Sequence, residues 1–311
     1  MVPLLLGVTF ITFALINLIP GSPILSLQRN GKMKPADIAR IQHELGLDKP
    51  WPVRYITWLN DLLHGNLGVS MHNHLPVTSR ILAVLPNTLL LTSTALVFAL
   101  LIAVPLGIYA AVHHKTWFDR SANIFGVALY AVPSYWLALL MIILFSLKFD
   151  DWGLFSFPAT GITNARNGGD LGDRIHHLFL PMVALGLAQV GVWSSYIRST
   201  MLEALQMDYV RTARSKGLGQ RTILYGHALR NAVLPLVTLI GLSIPELFGG
   251  AIFIESIFAW NGIGLLTLNA VSQRDYTMVM GTTLMFAALT MISNLIADVF
   301  YGVLDPRLRQ T

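Results

Sequence analysis

This 311-residue chain has few side chains at the spacings that are typical of catalytic or metal-binding motifs. It has no cysteine, and its nine histidines all lie at or before His227. There is no HExxH zinc motif, no GxxxxGK(S/T) phosphate loop, and no late serine with a histidine to act as its base. His72 and His74 have metal-binding side chains, but two loop histidines one residue apart are usually incidental. The residues therefore predict no catalytic centre, no metal and no cofactor on this chain.

Two carboxyl groups, Glu246 and Asp298, lie inside long apolar stretches. An ionised group at the centre of a membrane helix costs about 2.5–3.5 kcal/mol, so such groups usually have a function or a partner. Glu246 follows Pro245 in a helix that is expected to bend. It either lines a polar pathway or is a buried carboxyl satisfied by a neighbouring helix or placed near the outer interface. Asn294 and Asp298 share one helical face, which favours a structural hydrogen bond between helices over contact with a substrate.

Pro133, Ser134 and Trp136 interrupt another apolar stretch. Proline lacks the N–H that a helix needs and collides with the preceding turn, so a helix bends or stops there. A plain kink is the default expectation, and a role in shaping a pathway is the alternative.

The composition explains why these polar residues are so few. Hydrophobic residues make up 54% of the chain and charged residues 12%, about half of the usual charged fraction in a soluble domain. Lipid must therefore solvate much of the chain, and the net charge of +5 is not read as a signal for nucleic acid. Six stretches have about the length and apolarity needed to cross a bilayer: Pro3–Ile19, Pro86–Val112, Ala122–Phe149, Leu178–Ile197, Ala232–Ile254 and Met278–Leu304.

The distribution of lysine and arginine predicts the orientation. Loops 113–121 and 198–231 and the tail 305–311 carry two, six and two basic residues, whereas the opposite loops 150–177 and 255–277 carry two and one. Because basic loops stay in the cytoplasm, both termini are predicted to be cytoplasmic. The first stretch could instead be a signal peptide, but it lacks a basic start and a cleavage site. A shortened start fits it better.

The loop between the first two stretches contains a segment of soluble character. We predict a short helix at Asp37–Leu45 and an amphipathic helix at Trp51–His64. The inward-facing residues of the second helix are Tyr55, Trp58, Leu59 and Leu62. Together they would form a small extracytoplasmic cap. The chain thus divides into residues 1–85, with the first span and this cap, and residues 86–305, with the other spans.

The most informative segment is Asp208–Gly217, in the basic loop between spans four and five. Asp208 can accept hydrogen bonds from free amides at a helix start, and Arg214 and Lys216 suit a helix end. Gly217 can adopt the left-handed conformation that ends a helix. Val210, Ala213 and Gly217 would form a face of small residues that another protein could approach closely. Either this helix docks on a partner or the segment is a basic hairpin on the lipid head groups.

At this point the sequence resembles a known family. The segments YVRTARSKGL and HALRNAVLPLVTLIG are similar to the cytoplasmic coupling region of binding-protein-dependent ABC import permeases of the dipeptide, oligopeptide and nickel group. The resemblance continues through GGAIFIESIFAWNGIG, QRDY, NLIADVFYGVLDPRLR, LINLIPGSP and HELGLDKPWPVRY. It covers almost the whole chain, with the motifs in the expected order.

The resemblance implies an all-α membrane protein of the type I ABC importer permease fold, in a prokaryotic inner membrane. It also implies the partners: a second, homologous permease chain, two ATPase subunits that bind ATP and magnesium, and an extracytoplasmic substrate-binding protein. Substrate delivered from outside would cross when ATP closes the ATPases and the coupling helix transmits that closure. Short peptides are the expected substrate, and Glu246 could then meet a peptide's amino end. Nickel and glutathione are the alternatives within the family.

In such permeases a Glu-Ala-Ala stretch before a glycine docks on the ATPase. Residue by residue, Gly217 matches the glycine, Ala213 and Thr212 match the two alanines, and Arg211 stands in place of the glutamate, as in the peptide subgroup. Three further residues depart from the family pattern: Ser22, Asn261 and Thr277. The residues expected to form the coupling helix are Asp208, Tyr209, Arg211, Thr212, Ala213, Arg214, Lys216 and Gly217.

Two rival classes are less well supported by the sequence. A self-contained secondary transporter usually has inverted repeats and several charges inside the membrane, and the sequence shows neither. An intramembrane enzyme would need a nucleophile with a base, or a metal-binding set, and the sequence has no such pattern.

Overall fold

The computed structural model describes residues 2–18, 48–164 and 169–304. These ranges are mainly helical, and within them no strand forms beyond one isolated bridge between Val69 and Pro76. The predicted all-α class is confirmed. The predicted helix Asp37–Leu45 and the unusual residue Ser22 lie outside the described residues.

The described helices are named here in chain order. Their bounds are α1 Val2–Leu18, α2 Trp51–Leu63, α3 Val77–Val112, α4 Trp117–Ala131, α5 Ser134–Asp151, α6 Leu171–Gln206, α7 Asp208–Ser215, α8 Leu229–Ala232, α9 Leu234–Ile257, α10 Ile263–Ser272 and α11 Tyr276–Leu304. Two stretches have π-helical hydrogen bonding, Ile142–Lys148 within α5 and Thr222–Ala228 just before α8.

Length and composition make four of the described helices able to cross a bilayer, namely α3, α6, α9 and α11. The bent pair α4 and α5 would add a fifth if its two halves belong to one crossing. Helix α1 is apolar but has only 17 described residues. The structure therefore supports four or five crossings, and the sixth remains a prediction.

The predicted third span, Ala122–Phe149, is not one continuous helix. It ends at Ala131 and restarts at Ser134, with a bend of 100° between the two parts. Val132 is extended, with φ −84° and ψ 122°, because a residue before proline is disfavoured in the helical region. The carbonyl of Pro133 then accepts hydrogen bonds from the N–H groups of Trp136 and Leu137, which starts the new helix. The expected kink is therefore a complete break.

One compact unit comprises the described residues within Met1–Asn87 and Asn261–Met291. Its core contains Val77 and Ile81 of α3 together with residues of α1, α2, α10 and α11. The inward face predicted for α2 is confirmed, because Tyr55 is buried and the other three predicted residues pack partly buried on this core. The hydroxyl groups of Tyr55 and Thr9 lie 3.0 Å apart and join α2 to α1.

Helix α10 was not expected, since residues 255–277 were predicted to be a loop. Its ten residues are too few to cross a bilayer. Ile263, Leu266 and Ala270 are buried in the core of this unit, at the spacing of one helical face. An apolar stretch of this length is too short to be recognised as a span from the sequence. Its packing against the core stabilises it as a helix.

The second compact unit comprises the described residues within Thr88–Trp260 and Ile292–Thr311. Helix α6 lies at its centre and contributes to both of its large apolar clusters. Glycines allow α3 and α6 to approach closely. A Cβ atom on Gly107 would lie 2.7 Å from the carbonyl oxygen of Ser194, and one on Gly186 would lie 2.7 Å from that of Ala95. Small residues at helix contacts are typical of packing between membrane helices.

Candidate functional site

The predicted coupling segment is a separate short helix, α7, joined to α6 through a single extended residue. Met207, with φ −69° and ψ 152°, forms this corner, and its carbonyl accepts the first hydrogen bonds of α7. Asp208 does not cap the helix as predicted, because no side chain accepts from the free amides there. Its carboxylate instead lies 3.5 Å from Arg211, in a highly exposed pair that contributes little to stability.

The end of α7 follows the prediction. Gly217 has φ +75°, in the left-handed region that glycine adopts without strain. Its N–H donates to the carbonyl of Arg214, and the N–H of Leu218 donates to that of Ala213. These two bonds form a Schellman motif, which satisfies carbonyl groups that a helix end leaves free. The direction of the chain after α7 is therefore fixed by Gly217.

The faces of α7 differ from the expectation. Val210 and Ala213 are buried and pack against Ile223, in the π-helical stretch before α8. These small residues thus pack α7 against another segment of the same chain, and they are not available to a partner. The exposed surface of α7 and its end consists of larger polar side chains: Asp208, Tyr209, Arg211, Thr212, Arg214 and Lys216.

The predicted pathway residues lie on α9 and on two segments that contact it. Glu246 is exposed on α9 and forms no hydrogen bond or ion pair with any residue that the structure describes. Near the break between α4 and α5, Pro133 and Trp136 are exposed and Ser134 is half-buried. The rings of Tyr135 and Phe253 lie 6.3 Å apart, which brings the break against α9.

Helix α11 also contacts α9. A Cβ atom on Gly241 of α9 would collide with the side chain of Ala297 on α11. Asn294 and Asp298 flank Ala297 in sequence but are exposed, and neither bonds to any described residue. The hydrogen bond expected between helices is thus not formed within the described part of the chain.

Glu255 was missed by the sequence reasoning. The predicted fifth span ended at Ile254, but α9 continues to Ile257, and Glu255 is completely buried in its last turn. The hydroxyl of Thr88 donates a 2.7 Å hydrogen bond to its Oε1 atom. Its position directly after an apolar helical run was the only local signal.

A second missed group lies at the connection between α3 and α4. The carboxylate of Asp119 is buried and accepts from both Nε and a terminal nitrogen of Arg198 on α6. The ring of His114 and the N–H of Lys115 also reach its Oδ2 atom, at 3.1 and 2.9 Å. Thr116 accepts from the Asp119 N–H, so Thr116-x-x-Asp119 has the spacing of a capping box, a signal that the sequence did contain.

A third missed contact joins the connection before α3 to the start of α11. The carboxylate of Asp275 accepts from the hydroxyl of Ser70 and from the N–H groups of Met71 and Met278. A buried carboxylate with several donors of this kind fixes the backbone around it. It is a structural contact between these two segments.

Metal binding has no support in the described ranges, where no three side chains of histidine, aspartate or glutamate come together. His72 and His74 are both exposed in the connection before α3. The described geometry therefore consists of an exposed polar helix fixed at a corner, and of polar and aromatic groups around a broken helix.

Comparison with known proteins matches two family models to nearly the whole chain. Residues 103–310 match the binding-protein-dependent transport system inner membrane component, and residues 1–92 match the N-terminal part of such membrane components.

Curated proteins are similar over the full length. The oligopeptide transport system permease protein AppB of Bacillus subtilis is 37% identical over 99% of this chain and 96% of its own length. The dipeptide transport system permease protein DppB of Escherichia coli is 37% identical with the same two coverages. A putative peptide permease protein of Brucella suis is 39% identical, again over 99% and 96%.

Among solved structures, an inward-facing methionine ABC transporter, MetNI, has a chain that matches 73% of this chain and 97% of its own length. The TM-score is 0.56 and the identity 14%, so this similarity concerns the fold alone.

Proposed function

The chain belongs to the family of binding-protein-dependent transport system inner membrane components, and we propose that it is the permease subunit of an ATP-driven importer of short peptides. The observation that carries this proposal is its similarity, over almost its whole length, to permeases named for dipeptide and oligopeptide transport.

We further propose six crossings of a prokaryotic inner membrane, with both termini in the cytoplasm. They are α1, α3, the pair α4 and α5, α6, α9 and α11. The 17 residues of α1 extend about 26 Å as a helix, close to the 30 Å thickness of a bilayer core. The basic residues of loops 113–121 and 198–231 support this orientation. Helix α2 would then belong to a cap on the outer face, in the first of two domains, residues 1–85 and 86–305.

Helix α7 is the proposed contact with the ATPase. Two ATPase subunits would bind ATP and magnesium, since this chain has no phosphate loop of its own. The exposed side chains of α7, above all Tyr209, Arg211 and Arg214, would contact the ATPase surface. Val210 and Ala213 anchor the helix on this chain, so that a push on α7 moves the segments to which it is attached.

The translocation pathway would lie between this chain and a second, homologous permease subunit. An extracytoplasmic binding protein would deliver the peptide. Glu246 is suited to meet the positively charged amino end of a peptide, because its carboxylate is exposed and has no described partner. The residues that we propose to line or shape this pathway are Pro133, Ser134, Trp136, Glu246, Asn294 and Asp298.

Reconstitution of the complete complex tests the proposed function. The chain would be purified with its second permease and ATPases, inserted into vesicles, and supplied with binding protein and ATP. We expect dipeptides or longer peptides to stimulate ATP hydrolysis and to accumulate inside. Stimulation by nickel or glutathione alone would transfer the substrate assignment to that ligand. Purification from native membranes without any ATPase subunit would contradict the importer itself.

A further inference from the structure

The contact between Asp119 and Arg198 ties helix α4 to α6 close to the proposed coupling helix. Arg198 is nine residues before Met207, the corner that leads into α7, which corresponds to about 14 Å along the helix. We propose that this pair is a positioning contact that makes α4 move together with α6 and α7 during transport. This inference rests on the proposed function and adds the route by which the movement of α7 reaches α4.

The chemistry of the contact suits such a role. Arg198 binds both carboxylate oxygens of Asp119, and a paired contact of this type fixes orientation as well as distance. Only 4% of the Asp119 side chain and 22% of the Arg198 side chain are exposed, so water competes little for these bonds. His114 and Lys115 bring the connection between α3 and α4 onto the same carboxylate.

A second contact lies seven residues away along both helices. Gly126 of α4 faces Gly191 of α6, and a Cβ atom on Gly191 would collide with the carbonyl oxygen of Gly126. Seven residues are about two helical turns, so the same faces of the antiparallel helices meet at both positions. Two contacts two turns apart prevent sliding as well as rotation. Together with the packing along α4 and α6, they make the two helices one rigid pair.

This pairing has a consequence for transport. The break at Val132 and Pro133 follows Gly126 by less than two turns. A displacement of α7 would pass through α6 to α4 and reach the proposed pathway residues at the break. Loss of the Asp119–Arg198 pair would let α7 and α6 move while α4 lags behind. ATP would then be hydrolysed without a matching movement of peptide.

The experiment measures peptide uptake per ATP hydrolysed in the reconstituted complex. Coupling free energies between sites typically correspond to about 5- to 150-fold, so we expect Asp119→Asn to lower this ratio at least fivefold while the ATPase remains active. Arg198→Lys, which keeps the charge but not the paired geometry, should have a smaller effect. Asp151→Asn is the matched control. It removes an exposed pair with Lys148 and should leave the ratio unchanged.

A purely structural role would lower only the amount of folded complex and not the ratio. An unchanged ratio in both Asp119→Asn and Arg198→Lys would overturn the proposal. A wild-type complex without peptide-driven ATP hydrolysis would instead contradict the proposed function.

Distances between spin labels provide an independent measurement, because the chain has no native cysteine. Exposed labelling positions are available at Ile124 on α4 and Glu203 on α6, through Ile124→Cys and Glu203→Cys. In the labelled complex with an otherwise native chain, the distance should stay constant between the nucleotide-free and ATP-bound states. With Asp119→Asn added, the distribution of distances should become broader, or its mean should change when ATP binds. A distance that already changes without that substitution would overturn the rigid pair.

Discussion

Gly126 and Gly191 face each other so closely that a Cβ atom on Gly191 would collide with the backbone of α4. The two residues are far apart in sequence, yet the packing of α4 on α6 leaves no room for a side chain there.

Gly191→Ala should therefore destabilise the protein. Forcing extra atoms into a packed helix contact costs about 1–3 kcal/mol. The measurement is the thermal unfolding midpoint of the purified protein in detergent. Gly249→Ala is the matched control, because a Cβ atom at Gly249 on α9 would meet no atom within 4 Å. Equal midpoints for both variants would contradict the close approach.

The exposed side of α7 gives a second prediction. Arg214→Glu reverses an exposed charge and should reduce ATPase binding and uptake without reducing the amount of folded permease. Ala213→Arg should behave differently, because Ala213 is buried against Ile223 and the longer side chain displaces α7 itself. Co-purification of the ATPase and thermal unfolding distinguish the two effects.

A matched control for Arg214→Glu is Arg120→Glu, which reverses another exposed charge on the predicted cytoplasmic side. Normal ATPase binding by Arg214→Glu, or equal loss with Arg120→Glu, would contradict the proposed docking surface.

Gly217 gives a third prediction that depends on backbone conformation alone. A Cβ atom there would meet nothing within 4 Å, but φ is +75°. A left-handed residue other than glycine costs roughly 1–2 kcal/mol, so Gly217→Ala should loosen the end of α7 and lower uptake. Gly217→Asn should be milder, since asparagine tolerates this conformation better. Gly219→Ala serves as the control, because Gly219 has no positive φ. Equal uptake by the Ala and Asn variants would argue against this explanation.

The two glutamates of α9 should respond differently to the same change. Glu246→Gln removes an exposed charge and should lower peptide uptake with little change in unfolding temperature. Glu255→Gln alters a fully buried carboxyl that accepts from Thr88, and an impaired buried hydrogen bond costs about 1–3 kcal/mol. It should therefore lower the unfolding temperature. Unchanged uptake in Glu246→Gln would contradict the proposed place of Glu246 in the pathway.

Local patterns in the sequence predicted much of the fold. Pro133 indicated where a helix is interrupted, and Gly217 indicated where α7 ends. Each of these two features depends on the backbone properties of one residue. The inward face of α2 followed from the spacing of its apolar residues. The size of the bend at Pro133 did not follow, because the packing of the two helices around it sets that angle.

The buried side of α7 also required the tertiary structure. The sequence showed that Val210 and Ala213 share a face, and their size suggested a surface for a partner. The structure places Ile223 against them, so the surface that we propose for the ATPase is the exposed polar side of α7. Small residues permit close approach by any neighbour, and the sequence alone does not say which neighbour is present.

The sequence by itself determined that the chain is an all-α membrane protein and, through its ordered motifs, which family it belongs to. Apolar length, the positions of charges and single residues that end helices are local properties, and they act wherever the chain folds. The tertiary structure decided which polar groups are paired and which are exposed. Asp119 bonds to Arg198, 79 residues away in sequence, and Glu255 bonds to Thr88, 167 residues away. Helix packing brings together these side chains, which no local pattern connects.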